Sequence, residues 1–572
     1  MELKLRAEAI AALTAPGQPF ELESISLDGR SVRNFKHAPP SLRAMYELYR
    51  SPLPFLIYED ERHTFDEAWH AAARIGHLLV HEYGIGRGDR VAIAMRNYPE
   101  WILAFTAITS IGAIAVALNA QWQPDELAHG LSDSGARVVF ADQERIERID
   151  RIERIARFAL PDLRVLGVRA ARLPGGARDL AAAVAAVGDV AMPPAAIAPD
   201  DLATILYTSG SSGRAKGVPS TQRNILAALM SWGLDLRINE LVVGAAPAVA
   251  PGQLGTLLAV PLFHVTGLHA SYLMSYGAQR RIACMYRWDP EVAAKLIERE
   301  RLTSVVAPAA ITGDLVRVAR AGGHDLGSLL SVGGGGAPRA PEQVRQIAAT
   351  FAGAAPTIGW GMTETNAIGT AISGPEYVAR PESSGRCSQV LELSIRDDDG
   401  RELPVGRRGE LWVRGTSVFR GYWNQPEATA AAFVGDWFRT GDGAYLDDQG
   451  FLFVVDRIKD LIIRGGENIG CGQVEAALVM HPGVREASVY AVPDERLGEE
   501  VGATIYADAA LDLDQLRAFL TQHLARYEVP RYILRAAGPL PRTPSGKVLK
   551  RQIRDEALAQ LALPAAPAKG SR

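Results

Sequence analysis

The sequence predicts an α/β protein with more than one domain. The chain has 572 residues, which is too long for one hydrophobic core of ordinary size. From residue 55 onward, short apolar runs alternate with segments of helical periodicity, and this alternation predicts a mainly parallel sheet covered by helices. After residue 400 short strands and turns replace that pattern, which indicates a β-rich subdomain followed by a smaller α+β domain.

The first half of the chain carries the alternation. Residues 1–40 form a polar lead-in arm with little periodicity. The sequence Thr64-Phe-Asp-Glu67 is a capping box, so we expect a helix from there to residue 81. Further strands are predicted at residues 55–58, 89–95, 113–118 and 137–141, and further helices at residues 99–111, 125–134 and 143–158. The last helix is expected to be a solvated surface helix with one apolar stripe, formed by Ile146, Ile149, Ile152 and Ile155.

In the second half of the chain, the strand–helix alternation gives way to short strands and turns. A loose Ala/Pro/Gly-rich connection at residues 173–199 leads to a buried strand at residues 202–207. We place a domain boundary at residues 456–460, so that residues 1–456 form the N-terminal domain and residues 457–572 the C-terminal domain. The later predicted elements are strands at residues 409–414, 451–455 and 487–492, and helices at residues 473–480 and 513–524.

Composition and charge exclude several classes of protein. Hydrophobic residues make up 48% of the chain and charged residues 22%, which is typical of a soluble globular enzyme. A formal net charge of -4 gives no reason to expect binding to nucleic acid. The three cysteines lie far apart and form no Cys-x-x-Cys pair, which argues against a disulfide framework or a zinc site and suits a reducing cytoplasm.

No transmembrane segment is expected. Charged residues interrupt the apolar residues near the N-terminus, so a signal peptide is not predicted. Two longer uncharged runs, residues 101–118 and 241–263, are interpreted as buried core, because Gly112 divides the first and Pro247 and Pro251 break the second. Peripheral association with a membrane and assembly into an oligomer stay open.

A Ser/Thr/Gly-rich loop follows the strand at residues 202–207. It reads Tyr207-Thr-Ser-Gly-Ser-Ser-Gly-Arg-Ala-Lys-Gly217 and carries one lysine, Lys216, near its end. Glycines let backbone amides turn toward a ligand, hydroxyl groups add donors and the lysine adds positive charge, so the loop can cradle phosphate. Its spacing differs from that of a Walker loop. Taken alone, the stretch fits a flexible surface loop equally well.

Three other polar or glycine-rich clusters follow apolar runs, where α/β folds place their ligands. Glu364, in Gly359-Trp-Gly-Met-Thr-Glu-Thr365, offers a hard oxygen suited to Mg²⁺. Asp442, in Phe438-Arg-Thr-Gly-Asp442, offers a carboxylate that can accept hydrogen bonds from ribose hydroxyls. The glycine run Ser331-Val-Gly-Gly-Gly-Gly-Ala-Pro338 leaves room for a flat ring. Each cluster has a structural alternative: a solvated glutamate, a common turn and a simple bend.

In chain order these clusters resemble the motifs of the adenylate-forming superfamily. The other matching segments are Pro261-Leu-Phe-His-Val-Thr-Gly267, residues 456–469 and residues 541–547, and the resemblance covers about residues 55–554. The superfamily contains acyl-CoA synthetases, aryl-CoA ligases, luciferases and nonribosomal adenylation domains. The resemblance implies a large N-terminal domain of two helix-covered sheets plus a β-barrel-like subdomain, followed by a small mobile C-terminal domain.

The same resemblance implies a two-step reaction. A carboxylate attacks the α-phosphate of ATP to give an acyl-adenylate and pyrophosphate, and a thiol, usually that of coenzyme A, then displaces AMP. Because joining the acid to AMP supplies a good leaving group, the protein mainly needs to position the reactants and to provide positive charge.

Residue roles follow from the matching motifs. Thr363 is expected at the α-phosphate, and Mg²⁺ is expected at Glu364 and Thr208. The β- and γ-phosphates are expected to be held by the loop residues Thr208, Ser209, Gly210, Ser211, Ser212, Gly213 and Lys216. The adenosine is expected to contact Gly335, Gly336, Ala337, Trp360, Gly361, Asp442 and Arg457.

The two steps are expected to use different parts of the C-terminal domain. Lys547 would reach the α-phosphate and the carboxylate during adenylation. Lys459 occupies the hinge position, and after rotation of the domain the thiol channel would be lined by Arg464, Gly465, Gly466 and Glu467. His264, grouped with the catalytic residues Lys547, Thr363 and Glu364, is expected on the wall of the acid pocket near the thiol tunnel, with a buried structural histidine as the alternative.

The sequence predicts the acid substrate and the acyl acceptor less specifically than it predicts the nucleotide. Members that activate amino acids usually carry an aspartate after the phenylalanine at the position of Phe263, and here His264 follows it. We therefore expect an acyl-CoA ligase for a medium- or long-chain or bulky hydrophobic acid, with ATP, Mg²⁺ and free coenzyme A. Two alternatives stay open: an adenylating enzyme that delivers its acyl group to a carrier protein or to a non-CoA product, and an inactive nucleotide-binding protein.

Overall fold

The structure is a computed structural model that describes residues 2–27, 29–154, 162–208, 214–243, 252–336, 339–465, 467–543 and 546–561. A π-helix at Thr266–Leu273 and 3₁₀ turns at Thr363–Thr365 and Ile458–Asp460 accompany the α-helices. In chain order the α-helices are α1 (Glu2–Leu13), α2 (Leu42–Leu48), α3 (Phe65–His81), α4 (Pro99–Ser110), α5 (Pro124–Ser134), α6 (Gln143–Arg154), α7 (Leu180–Ala185), α8 (Gln222–Val243), α9 (Met274–Gly277), α10 (Pro290–Glu300), α11 (Ala309–Ala321), α12 (Pro341–Thr350), α13 (Gly374–Ala379), α14 (Pro426–Ala432), α15 (Cys471–Met480), α16 (Leu513–Leu520) and α17 (Lys550–Gln560).

The lead-in arm contains regular elements that its sequence does not signal. After α1, strands β1 (Leu22–Leu27) and β2 (Arg30–Phe35) form an antiparallel hairpin. The Nη2 atom of Arg33 donates a hydrogen bond of 2.7 Å to the carbonyl of Leu391. Such contacts join residues far apart in the sequence, so they leave no periodic pattern within the arm.

The first large sheet is mainly parallel, as the strand–helix alternation predicts. Its strand order is β11-β10-β6-β5-β7-β8-β9, and only β11 is antiparallel to its neighbour. The strands are β5 (Arg90–Ala94), β6 (Ile114–Ala117), β7 (Val138–Asp142), β8 (Arg164–Val168), β9 (Arg178–Asp179), β10 (Leu202–Thr208) and β11 (Lys216–Thr221).

The second sheet joins a parallel part to the β-rich part of the chain. Its main path is β19-β20-β22-β23-β18-β17-β16-β15-β14-β12-β13-β3-β4, with β21 added beside β22. Among the described strands this path does not close into a full barrel. The strands are β3 (Pro54–Tyr58), β4 (Glu61–Thr64), β12 (Gly255–Leu258), β13 (Arg281–Cys284), β14 (Ser304–Val306), β15 (Ser331–Gly334), β16 (Ala355–Ile358), β17 (Thr370–Ser373), β18 (Gly385–Cys387), β19 (Leu391–Arg396), β20 (Gly409–Gly415), β21 (Phe433–Val434), β22 (Trp437–Leu446) and β23 (Phe451–Arg457).

A separate small sheet follows and forms the C-terminal domain with α15, α16 and α17. Its main order is β25-β24-β27-β26, and β28 runs parallel to β27. The strands are β24 (Ile462–Arg464), β25 (Glu467–Ile469), β26 (Val484–Asp494), β27 (Gly498–Ala507) and β28 (Tyr532–Arg535). The fold class expected from the sequence is confirmed: a large N-terminal α/β domain and a small α+β C-terminal domain. The exact boundary at residues 456–460 stays a prediction.

Most individual elements also match their predicted places. The capping box of α3 is present, because Thr64 Oγ1 accepts from the Glu67 amide at 3.1 Å and a Glu67 carboxylate oxygen accepts from the Thr64 amide at 2.8 Å. The run at residues 101–118 divides as expected into α4 and β6. Residues 155–158, the end of the predicted helix at 143–158, lie outside the described residues, and α16 ends four residues before its predicted end at residue 524. Within the described ranges, no helix combines the length and apolar content needed to cross a bilayer.

Candidate active site

A cavity of about 2390 Å³ opens where the strands of the second sheet end, between the two domains. Many of the predicted site residues, which come from distant parts of the chain, line this cavity. The predicted site residues on its wall are Thr208, Lys216, His264, Gly335, Gly336, Trp360, Gly361, Thr363, Glu364, Asp442, Arg457 and Lys547.

Asp442 is held by two partners inside this cavity. It lies opposite Arg457 in the antiparallel pairing of β22 and β23. Its Oδ1 is 2.7 Å from Arg457 Nε, and its Oδ2 accepts a hydrogen bond of 2.8 Å from Trp360 Nε1. Burial raises the pKa of the Asp442 carboxyl, and the attraction of Arg457 offsets part of that rise. The carboxylate is therefore fixed in orientation, and each oxygen keeps a lone pair with which to accept from a ligand hydroxyl.

Glu364 is a buried carboxylate at the 3₁₀ turn Thr363–Thr365. Its Oε1 accepts a hydrogen bond of 3.0 Å from the hydroxyl of Tyr422, and its backbone carbonyl accepts from the amide of Phe419 at 2.8 Å. Burial raises the pKa of the Glu364 carboxyl. The Tyr422 hydroxyl and the backbone amide of Glu364 itself compensate the buried negative charge only in part, so the site favours a cation beside Glu364.

Tyr422 connects this acid to the predicted phosphate-binding lysine. The Nζ atom of Lys216 lies 4.8 Å from the centre of the Tyr422 ring. Burial raises the pKa of the Tyr422 hydroxyl, so it keeps its proton and donates to Glu364. Tyr422 cannot be identified from the sequence, because a single tyrosine far from the other motifs carries no signal of this contact.

The residue types at Glu364 fit a magnesium ion that shares its coordination with phosphate. Among the described residues, no group of three or more His, Cys, Asp or Glu side chains could hold a metal ion by itself. Mg²⁺ in nucleotide sites is typically bound through one or two carboxylates together with substrate phosphates and water. Thr208, the second predicted ligand, ends β10 directly opposite Lys216. The rest of the predicted loop, from Ser209 to Gly213, lies outside the described residues.

Lys547 reaches the cavity from the C-terminal domain. A turn presents it, in which the Lys547 amide donates to Thr543 Oγ1 at 3.0 Å. A methyl group placed on Gly336 would lie 3.6 Å from Cε of Lys547, so the lysine stem lies against the glycine run. The side chain is exposed to the solvent-filled cavity, but many protein atoms lie around it. The resulting loss of solvation lowers the pKa of Lys547, and repulsion from Arg457 lowers it further. Asp442 and Glu364 oppose that decrease.

His264 lies on the cavity wall. Its ring centre is 4.8 Å from that of Phe263. Burial lowers the pKa of His264 to about 3, and repulsion from Lys547 contributes to the decrease. The imidazole is therefore neutral at ordinary pH. Its expected place beside an acid pocket and its role both stay predictions.

Of the predicted thiol-channel residues that the structure describes, Arg464, Gly465 and Glu467 do not line the cavity. Arg464 and Glu467 belong to the hairpin β24–β25, where Arg464 Nε and Nη2 donate to the two Glu500 oxygens, each at 2.8 Å. Neither Gly465 nor Glu467 is among the described residues that line the cavity. Lys459 lies in the 3₁₀ turn Ile458–Asp460. The predicted residues Ala337 and Gly466 lie outside the described residues.

Gly361 has a packing role that its sequence motif does not reveal. A Cβ atom at this position would lie 2.3 Å from the carbonyl oxygen of Ala367. We predict that Gly361→Ala lowers the free energy of unfolding by about 1–3 kcal/mol, because the turn before Thr363 must shift to relieve the overlap. Urea denaturation measures the effect. Gly86→Ala is the matched control, since a Cβ there meets no atom within 4 Å. Equal stability of the two variants would contradict the prediction.

Comparison with known proteins identifies the family of this chain. The AMP-binding enzyme family matches residues 49–423, and the AMP-binding enzyme C-terminal domain matches residues 473–547. A long-chain-fatty-acid–CoA ligase of Mycobacterium tuberculosis (strain ATCC 25618 / H37Rv), FadD13, is 32% identical over 504 residues, which cover 87% of this chain and 93% of that protein. A feruloyl-CoA synthase of Amycolatopsis sp is 34% identical over 495 residues, covering 86% of this chain and 93% of that protein.

The chain is also similar to a solved structure in its three-dimensional fold. The o-succinylbenzoate CoA synthetase of Bacillus subtilis, in complex with its acyl-adenylate intermediate, superposes with a TM-score of 0.75 at 27% identity, covering 90% of this chain and 98% of that one. The relatives act on different acids at similar identity, so identity alone does not select an acid. The chain belongs to the AMP-binding enzyme family, within the adenylate-forming superfamily that contains the AMP-forming acyl-CoA ligases.

Proposed function

We propose that this protein activates a bulky or medium- to long-chain hydrophobic acid with ATP and transfers the acyl group to coenzyme A. The observation that carries the proposal is the meeting of Lys547, from the C-terminal domain, with Glu364 and the Asp442–Arg457 pair in one cavity. Retention of these groups together with Lys216 disfavours an inactive nucleotide-binding protein. We place the reaction in the cytoplasm, which suits the three free cysteines of the chain.

In the first step a carboxylate oxygen of the acid attacks the α-phosphorus of ATP, and the bond to pyrophosphate breaks. Lys547 and Thr363 would hold the α-phosphate oxygens, where negative charge gathers, while Lys216 and Thr208 would hold the leaving pyrophosphate. Asp442 would accept hydrogen bonds from the ribose and so fix the angle of the attack. No proton has to move, so the step needs no general base.

Glu364, with Thr208, would hold a magnesium ion beside the phosphates. The ion, when bound, neutralises phosphate charge and orients the leaving group. The raised pKa of Glu364 supports this assignment, because a buried carboxylate gains most from a nearby cation.

In the second step the sulfur of coenzyme A attacks the acyl carbonyl carbon, AMP leaves, and the thiol proton passes to solvent. Gly465, Gly466 and Glu467 would take part only after the C-terminal domain rotates about the segment that contains Lys459. In this arrangement neither Gly465 nor Glu467 lines the cavity that holds the adenylation residues, which supports separate use of the two faces.

A panel of carboxylic acids tests the proposed function. Each acid is incubated with ATP and Mg²⁺, with and without coenzyme A, and pyrophosphate and thioester are both measured. We expect pyrophosphate release with at least one hydrophobic acid and stoichiometric thioester only when coenzyme A is present. Release of pyrophosphate without any thioester would instead favour delivery to a carrier protein or another acceptor. No pyrophosphate with any acid would overturn the enzyme assignment.

A further inference from the structure

Two helical segments contribute to the wall of the cavity, and we refer to the space that they line as the channel. One wall is a single face of α8, with Trp232, Asp235, Leu236 and Asn239 at helical spacing. Ala270 of the π-helix and Met274 of α9 also line this space.

This channel starts at the glycine run and is long enough for the body of an acid. A methyl group placed on Gly335 would lie 3.8 Å from Cγ2 of Thr266, which begins the π-helix. Since an α-helix rises by about 1.5 Å per residue, Met274 lies at most roughly 12 Å farther along the wall than Thr266. An acid whose carboxylate is near Lys547 would therefore extend along α8.

Asp235 is an unusual side chain for such a wall. The residue is 9% exposed, and it contributes to the cavity lining. Its Oδ1 is 3.9 Å from Arg6 Nη2, which is an ion-pair separation longer than a hydrogen bond. In the part of the chain that the structure describes, the Asp235 carboxylate accepts no hydrogen bond. Burial raises the pKa of Asp235 to about 7, and Arg6 counteracts part of this rise.

The neighbouring polar group on this wall is already engaged. Asn239 Nδ2 donates to Ser373 Oγ at 3.0 Å, and its Oδ1 accepts from Arg6 Nη1 at 3.4 Å. Asp235 is therefore the group on this face of α8 whose accepting capacity is left for a ligand. An unsubstituted alkyl chain packed against it would leave a buried acceptor without a donor, which disfavours binding of that acid.

We propose that Asp235 selects an acid that carries a hydroxyl group remote from its carboxylate, which donates a hydrogen bond to Asp235. This inference rests on the proposed ligase function and narrows its acid to hydroxylated hydrophobic acids. A neutral donor is favoured over an ammonium group, because Arg6 already balances the charge of Asp235. Trp232, Leu236, Ala270 and Met274 would enclose the apolar body of the same acid.

Matched pairs of acids test the inference. Each pair shares one carbon skeleton and differs by one hydroxyl group: straight-chain acids of six to twelve carbons with and without a terminal hydroxyl, and 3-phenylpropanoate against its 4-hydroxyphenyl analogue. The ratio of kcat/KM within each pair is measured by pyrophosphate release. We expect the best pair to favour the hydroxylated acid by roughly tenfold to a hundredfold, the range for a hydrogen bond to a charged group.

Variants of α8 assign the preference to Asp235. Asp235→Leu removes the acceptor, so the ratio should fall to about one or below. Asp235→Asn keeps an amide oxygen and nearly the same volume, so it should fold and give an intermediate ratio. Glu240→Gln is the matched control, since Glu240 lies on the same helix, pairs with Arg237 and does not belong to the described cavity wall. Its ratio should equal that of the unmodified protein.

The outcomes distinguish failure of the proposed role of Asp235 from failure of the proposed ligase function. Active protein without a preference in any pair, or with a preference that Asp235→Leu and Asp235→Asn leave unchanged, overturns the role of Asp235 and leaves the ligase assignment intact. Stronger selection of the matching ω-amino acid overturns the choice of a neutral hydroxyl. Inactivity with every acid overturns both proposals.

Discussion

Replacing Lys547 with alanine is expected to slow acyl-adenylate formation by about 100- to 1000-fold, the usual cost of removing one charge-stabilising donor. Formation of thioester from supplied acyl-adenylate should stay near the rate of the unmodified protein. The reason is geometric, since Lys547 lies against the glycine run and near Glu364 and Asp442, where the α-phosphate would be bound. Pyrophosphate release measures the first half-reaction, and thioester formation from synthetic acyl-adenylate measures the second.

Arg551→Ala provides the control for this experiment. Its side chain is 79% exposed and lies in α17 of the same domain, so it reports any general effect of removing a cation there. Similar losses in both half-reactions of Lys547→Ala would contradict a role confined to adenylation.

Replacing Asp442 with alanine is expected to weaken ATP binding by roughly 100-fold. The substitution removes an acceptor for the ribose and leaves Arg457 and the indole of Trp360 without their buried partner. Hydrogen bonds to charged groups contribute about 1.5–3 kcal/mol each, and the remaining unpaired groups add to the loss. Calorimetric titration with AMP and the KM for ATP both measure the change.

Asp448→Ala is the matched control, because Asp448 is an exposed acid two residues after β22 ends. Thermal denaturation of both variants separates loss of nucleotide binding from loss of fold. An unchanged affinity for AMP in folded Asp442→Ala would show that the ribose is bound elsewhere.

The parts of the fold that sequence predicts are those that depend on local periodicity. The alternation of β5, α4, β6, α5 and β7 follows from apolar spacing, and α3 begins where its capping box requires. The sequence does not predict the hairpin β1–β2, whose Arg33 is joined to distant segments by hydrogen bonds between side chains and backbone carbonyls.

The site residues likewise fall into those that sequence motifs predict and those that only the folded structure reveals. Glu364, Asp442 and Lys547 lie in motifs that can be recognised by their order along the chain. Tyr422 and Asp235 matter through contacts between elements, and no spacing in the sequence indicates that α8 turns Asp235 toward the cavity. The packing role of Gly361 depends on the position of the Ala367 carbonyl, which only the folded turn defines.

The ion pair between Arg6 and Asp235 has an evolutionary consequence. Helix α1 lies outside both segments that match the family, yet Arg6 reaches the wall along which the acid would lie. Mutations in this helix can therefore accumulate or be selected without changing the residues that we propose to bind ATP. We expect substrate range to diverge among descendants of this chain through α1, while the machinery of activation is inherited unchanged.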